Sequence, residues 1–259
     1  MRIVRVGGAS VEVEQTGAGR DLVLLHSLLA DCTVFDRVVP LLKKRRRLWL
    51  VSLPGYGGSS PAGPCVEDYA ERIAGLMAAL GLPRETDVLG NGLGGFIAVA
   101  LAARHGSRFD RLIAAPALVA FPEPAKQPLR GLAQRVAKEG MAGALDIAIR
   151  RMFPEDFVEK NRTIVEERKR ALALADPACF RTACLALVQL DLAPFLSEIK
   201  NKTLVMVGAE DATTPSALAR QLAAGIADSR FMEIQGCGHC PQIEKPRAFV
   251  DAVEDFLRS

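Results

Sequence analysis

Residues 87–96 leave the chain few ways to fold. Asp87, Val88 and Leu89 read as a short apolar strand, Gly90 to Gly95 hold four glycines in six residues, and Phe96-Ile97-Ala98-Val99-Ala100-Leu101-Ala102-Ala103-Arg104 follows at once. That last run is apolar nearly all round, so as a helix it must be buried rather than lie on a surface. A strand entering a buried helix through glycines that permit close approach is the start of a layered sheet. The same alternation recurs along the chain. Strands are expected at 2–6, 11–15, 22–25, 47–52, 86–89, 111–115, 203–208 and 231–234, and helices at about 34–43, 66–80, 93–105, 215–226 and 246–257. This pattern predicts an α/β fold with a mostly parallel central sheet and helices on both faces. The first two strands, joined by Gly7 and Gly8, should form an antiparallel hairpin at one edge.

The alternation stops at Pro116 and at Phe121-Pro122-Glu123-Pro124, and from there to about residue 200 the pattern is helical. Residues 1–120 and 201–259 are therefore read as the core, and 121–200 as an inserted helical lid.

Gly90-Asn91-Gly92-Leu93-Gly94 fills the frame G-x-S-x-G of a nucleophile elbow, which holds a serine hydroxyl on a sharp strand-to-helix turn. Gly92 stands at the serine position. The amide of Leu93 would then point into the turn at the positive end of a helix, where an oxyanion is stabilised. Leu22-Val23-Leu24-Leu25 runs into the loop His26-Ser27-Leu28, and the amide of Leu28 is the candidate second oxyanion donor. Asp211 lies just past the strand 203–208, and His239 follows the strand 231–234. Both occupy the end of a parallel strand at which open sheets carry their ligand sites.

Together these residues resemble the α/β-hydrolase family over nearly the whole chain. The order elbow, acid, histidine is the family's order. The stretches Arg135-Val136-Ala137-Lys138-Glu139-Gly140-Met141, Arg151-Met152-Phe153 and Ala175-Asp176-Pro177-Ala178-Cys179-Phe180 resemble the lid of its 3-oxoadipate enol-lactonase branch. The resemblance implies an α/β-hydrolase fold, a lid roofing Gly92 and His239, and no cofactor. It also implies a serine-histidine-aspartate triad that opens a small lactone. Carried over by position, His239 takes the base role, Asp211 the acid role, and the nucleophile falls on Gly92.

Three readings of such a site stay open. His239, oriented by Asp211, could act as general base on water attacking a carbonyl held by the Leu28 and Leu93 amides. The same dyad could take a proton from an acidic carbon or hydroxyl, as in lyase, isomerase or cofactor-free oxygenase chemistry. Or the pocket binds a small ligand without turnover. A serine replaced by glycine through engineering would leave the same spelling. By position only a hydroxyl is missing, so Gly92→Ser is expected to complete a triad. Ser27 and Cys240 are possible pocket residues and substitute nucleophiles; Ser27 is expected to hydrogen-bond the loop backbone, and Cys240 to fill a pocket wall. Asn91 should turn its side chain behind the elbow, and His26 could orient the oxyanion loop.

Charge points away from nucleic acid: 33 basic and 30 acidic residues leave a net charge of only +3. The run Lys43-Lys44-Arg45-Arg46-Arg47 reads as a solvated helix end and loop. No apolar run reaches membrane-spanning length, and the N-terminus reads as a strand rather than a signal peptide, so a cytoplasmic protein with a small-molecule substrate or ligand is expected. The six cysteines do not form a disulfide framework in a chain of 259 residues. Cys237-Gly238-His239-Cys240 lacks the helix start and βαβ setting of a redox or zinc motif, so no metal is expected. The oligomeric state is not encoded in any of these features.

Overall fold

The computed structural model describes residues 1–258. Its single sheet comprises β1 (Arg2–Val6), β2 (Ala9–Gly17), β3 (Arg20–Leu25), β4 (Arg46–Val51), β5 (Asp87–Gly90), β6 (Arg111–Ala114), β7 (Lys202–Gly208) and β8 (Ser229–Ile234), in the order β1-β2-β4-β3-β5-β6-β7-β8. β1 pairs antiparallel with β2, and β2 with β4; every other pair is parallel. Residues Asp21 to Leu25 of β3 and all of β5 are buried. Successive side chains of a strand face opposite sides, so both faces of the sheet centre are covered. This is why the central strands read as continuous apolar runs, without alternation.

The helices are α1 (Val39–Leu42), α2 (Val66–Ala79), α3 (Leu93–His105), α4 (Glu123–Glu139), α5 (Leu145–Met152), α6 (Glu155–Lys160), α7 (Arg162–Ala173), α8 (Pro177–Gln189), α9 (Ser216–Ala224), α10 (Pro241–Glu244) and α11 (Pro246–Arg258). The helix expected over 34–43 is instead a 3-10 turn, Cys32–Phe35, followed by the short α1. Asp31 caps the first piece by accepting the Thr33 amide at 3.1 Å. Pro40 cannot donate to a preceding turn and restricts Val39, so it starts a new helix rather than continuing the old one.

Helices α4 to α8 all lie between β6 and β7, with α4 packed along α8. The chain enters and leaves this insertion through one neck. Ala120 and Asp191 form an isolated antiparallel bridge, and the Leu192 amide donates to the Val119 carbonyl at 3.0 Å.

Below the sheet's ligand end, the start of β5 is held by charge. Asp87 is fully buried and accepts from Arg20 at 2.8 Å and Arg46 at 3.1 Å; Arg46 also reaches Glu254 of α11 at 3.4 Å. A buried carboxylate needs such partners, since leaving it unpaired in the interior is costly. The network ties β3, β4 and α11 to the strand that presents the elbow.

Candidate active site

β5 ends at Gly90 and α3 begins at Leu93, so the chain reverses within two residues. Gly92 sits at φ +54°, ψ −118°, a left-handed region that side-chain-bearing residues enter only with strain. The reversal is tight enough to exclude side chains beside it. A β-carbon on Gly90 would overlap the Gly94 carbonyl, and one on Gly94 would overlap the Leu25 carbonyl. The turn is bonded to the exit of β3: Asn91 N–H donates to Leu25 at 2.9 Å and Gly94 N–H to His26 at 2.9 Å. The Asn91 side chain turns behind the elbow, where its amide donates to the Ala115 carbonyl at 2.6 Å and to the His239 carbonyl at 3.4 Å.

Asp211 leaves the end of β7 and is held on both carboxylate oxygens. Oδ1 accepts the Thr213 and Thr214 amides, each at 2.8 Å, and Oδ2 lies 2.9 Å from Nδ1 of His239. Because an ionised carboxylate only accepts, Nδ1 carries the proton and Nε2 is left as an acceptor. His239 is fixed from the other side by the insertion. Its amide donates to the carbonyl of Met152, at the end of α5, at 3.1 Å, and Thr213 Oγ1 donates to the Arg151 carbonyl at 2.8 Å. The loop's remaining amides, Gly238 and Cys240, donate to the Glu244 carboxylate at 2.9 and 3.2 Å. Burial raises that carboxyl to about 7.

Among the described residues, neither the Leu28 nor the Leu93 amide donates a hydrogen bond, although both residues are buried and both line one cavity. Buried backbone amides are nearly always paired, so two unpaired ones facing one space mark where an acceptor from outside the chain fits. The loop that presents Leu28 is rigid. His26 donates from Nδ1 to the Ser27 carbonyl at 2.9 Å and accepts the Leu53 amide at Nε2 at 3.0 Å. Burial depresses this ring to about 4, which keeps it neutral. Tyr56 stacks edge-on against it and donates its hydroxyl to the Leu28 carbonyl at 2.8 Å.

Two expectations about this site are corrected. Cys240 is fully buried and is absent from the cavity wall, its side chain turned into the core behind the histidine loop. Burial pushes its thiol well above the ordinary value, and that of Cys237 to about 12, the opposite of the shift an activated thiol needs. Ser27, expected to bond the loop backbone, makes no side-chain hydrogen bond among the described residues. Instead it occupies the space in front of Gly92. A β-carbon on Gly92 would overlap Ser27 Oγ and lie 3.0 Å from Ser27 Cβ and 3.2 Å from His239 Nε2. A serine at 92 is therefore not a simple addition to an empty place.

The cavity is narrow, about 20 Å³, close to the volume one water needs and far below that of an open ligand site. Gly92, Leu93, Ser27, Leu28 and His239 form its floor, while the insertion adds Phe121, Leu129, Arg151 and Leu187. Arg151, Thr213 and Thr214 add polar groups to its lining. Arg151 forms no salt bridge among the described residues, and Thr214 Oγ1 is buried without a partner. Burial lowers the guanidinium below its usual value, with the nearby charge of Asp211 opposing the shift. Sequence reasoning missed Arg151 as a site residue. The signal was present: with Ala148 and Met152 buried, the helical repeat places residue 151 on the same inward face.

A family model described as "Alpha/beta hydrolase family" matches residues 22–252. The chain belongs to the alpha/beta hydrolase family. Curated relatives of this alpha/beta hydrolase include a pimeloyl-[acyl-carrier protein] methyl ester esterase from Aeromonas hydrophila, 31% identical over 96% of this chain and 99% of that one. A 3-oxoadipate enol-lactonase from Acinetobacter baylyi is 27% identical over 92% of this chain and 88% of its own. The crystal structure of an enol-lactonase from Burkholderia xenovorans superposes with a TM-score of 0.93 at 28% identity, covering 100% of both chains. These relatives are ester and lactone hydrolases.

Proposed function

We propose that this alpha/beta hydrolase cleaves a small ester or lactone in the cavity between the elbow and the inserted helices, with His239 as general base and Asp211 as its orienting acid. One observation carries this reading. The Asp211–His239 pair faces the same cavity as two buried amides that have no acceptor among the described residues. A carbonyl oxygen placed on the Leu28 and Leu93 amides would gain negative charge there as a nucleophile attacks. Donors fixed in advance stabilise that charge without reorganising. Gly92 stands where elbows carry a serine, so the hydroxyl is not supplied from the turn itself.

The apolar walls suit a compact hydrocarbon skeleton, and the lid-like insertion would exclude water from it. Arg151, together with Thr213 and Thr214, would hold an acidic or strongly polar group of the substrate. The test is hydrolysis of short p-nitrophenyl esters and small lactones, with and without an added carboxylate. Turnover that disappears in His239→Ala while the protein stays folded is the expected result. Turnover unchanged in His239→Ala, or none with any substrate beside tight binding of the same compounds, would replace this reading with ligand binding.

A further inference from the structure

We infer that the nucleophile of this site is Ser27, delivered from the loop after β3 instead of from the elbow. The inference rests on the hydrolase reading above and adds the group that His239 activates. Three observations meet at one point. The ideal β-carbon position of residue 92 overlaps Ser27 Oγ and lies 3.2 Å from His239 Nε2, so the Ser27 hydroxyl takes up part of the space an elbow side chain would fill and lies near the base, with no hydrogen bond to it. That hydroxyl has no hydrogen-bond partner among the described residues, and its residue lines the cavity. A hydroxyl without a protein partner on a residue lining the cavity is free to turn toward a substrate carbonyl. Finally, Gly92 and Ser27 are exchanged in role. Glycine at 92 makes room that any larger residue would take from Ser27.

The oxyanion geometry carries over as well. In an elbow, the residue after the nucleophile supplies one oxyanion amide and the loop after the neighbouring strand supplies the other. With Ser27 attacking, Leu28 is the residue after the nucleophile and Leu93 the donor across the site. Both amides stay in use and only their labels change.

The chemistry balances with no further component than water. Ser27 Oγ bonds to the substrate carbonyl carbon as its proton passes to His239 Nε2, and the carbonyl pair moves to the oxygen held by Leu28 and Leu93. Collapse re-forms the carbonyl and breaks the ester C–O bond, and the leaving oxygen takes the proton from His239. Water then attacks the acyl-Ser27 ester by the same route, giving the acid and restoring the Ser27 hydroxyl.

The test is a fluorophosphonate probe with intact-mass and peptide mapping, because covalent labelling needs no knowledge of the substrate. The expected result is one adduct per chain on Ser27, absent from Ser27→Ala and from His239→Ala, with melting curves showing both variants folded. Where an ester is turned over, Ser27→Ala should lower kcat/KM by about a thousandfold or more, and the wild type should release a burst of product in the first turnover. No adduct on the wild type, or an adduct elsewhere, overturns the inference. So does His239-dependent hydrolysis that survives Ser27→Ala within about threefold; water would then be the nucleophile and the hydrolase reading would stand. Labelling of Ser27 without turnover of any ester tried would uphold the nucleophile and leave the substrate class to be revised.

Discussion

Asp211 Oδ2 and His239 Nδ1 lie 2.9 Å apart, and the other carboxylate oxygen is already occupied by two amides. The carboxylate can therefore hold the imidazole in only one tautomer, with Nε2 toward the cavity. Asp211→Asn should leave the fold intact while presenting an amide that can offer Nδ1 a donor instead of an acceptor. By analogy with the loss in a triad protease, kcat should fall by about 10³–10⁴. Ester hydrolysis alongside a melting curve checks this. A fall of less than tenfold would mean that the acid does not set the tautomer.

Gly92→Ser alone should fail as a repair. The new side chain must take φ +54° and meet Ser27 at the same time. The backbone strain should cost about 1–3 kcal/mol, and the overlap a further 1–3 kcal/mol or so. Gly92→Ser combined with Ser27→Gly removes the overlap and leaves only the strain. The double variant should thus melt higher than Gly92→Ser, a non-additivity that urea denaturation of the four proteins measures directly. Additive effects would show that the two positions do not share one space.

Arg151→Met should separate substrates by charge. The substitution keeps apolar volume at the wall but removes the cavity's cation. KM for a carboxylate-bearing ester should rise by about tenfold or more, whereas a neutral ester of similar size should change by less than about threefold. Equal effects on both would make Arg151 a structural prop for the insertion, acting through its neighbours Met152 and Thr213.

The contribution of His26 to stability should climb with pH between about 4 and 6.5. Burial depresses the folded-state ring from 6.5 to about 4. In that window the unfolded chain binds the proton that the folded chain refuses, so this contribution rises with pH. The contribution is complete above about 6.5 and lost as pH falls toward 4. This contribution of roughly 3 kcal/mol should appear as the difference in pH dependence between the wild type and His26→Asn in urea unfolding across the window. Glu244 works in the opposite direction. Burial raises its carboxyl from 4.5 to about 7, so its contribution is full below about 4.5 and declines as pH rises through 7. The two offset each other between about 4.5 and 6.5, so replacing His26 with Asn should leave a stability that falls as pH rises from about 4.5 to 7.

Asp87→Ala should destabilise the protein by about 3–5 kcal/mol, because it strands Arg46 in the interior with one weaker partner, Glu254, at 3.4 Å. A loss below 1 kcal/mol in denaturant titration would mean that water replaces the carboxylate easily.

Most of the sheet was legible because its strands are buried on both faces and spell unbroken apolar runs, as Leu22 to Leu25 and Thr203 to Val207 do. Gly92, Asp211 and His239 were legible because each follows a strand at the same sheet end. The exceptions have two causes. The turn at Cys32–Phe35 depends on Pro40, whose effect a propensity window averages away. Where Ser27 and Cys240 point is decided by packing between residues far apart in sequence. Ser27 meets the space at 92, while Cys240 turns inward beneath a loop pinned by Glu244. Neither direction can be read from the residue's own neighbours.

The bridge between Ala120 and Asp191 makes the whole helical insertion a cassette. Its two ends already touch, so lengthening or shortening the excursion changes only the closure entropy of a long loop, about 0.6 kcal/mol per doubling. The register of β6 and β7 need not respond. Evolution can therefore trade one roof for another, and with it the cation at Arg151 and the apolar contacts at Phe121 and Leu187, while the floor beneath stays in place. A shortened excursion that rejoins residues 120 and 191 directly would yield an open scaffold on which foreign roofs could be grafted and compared.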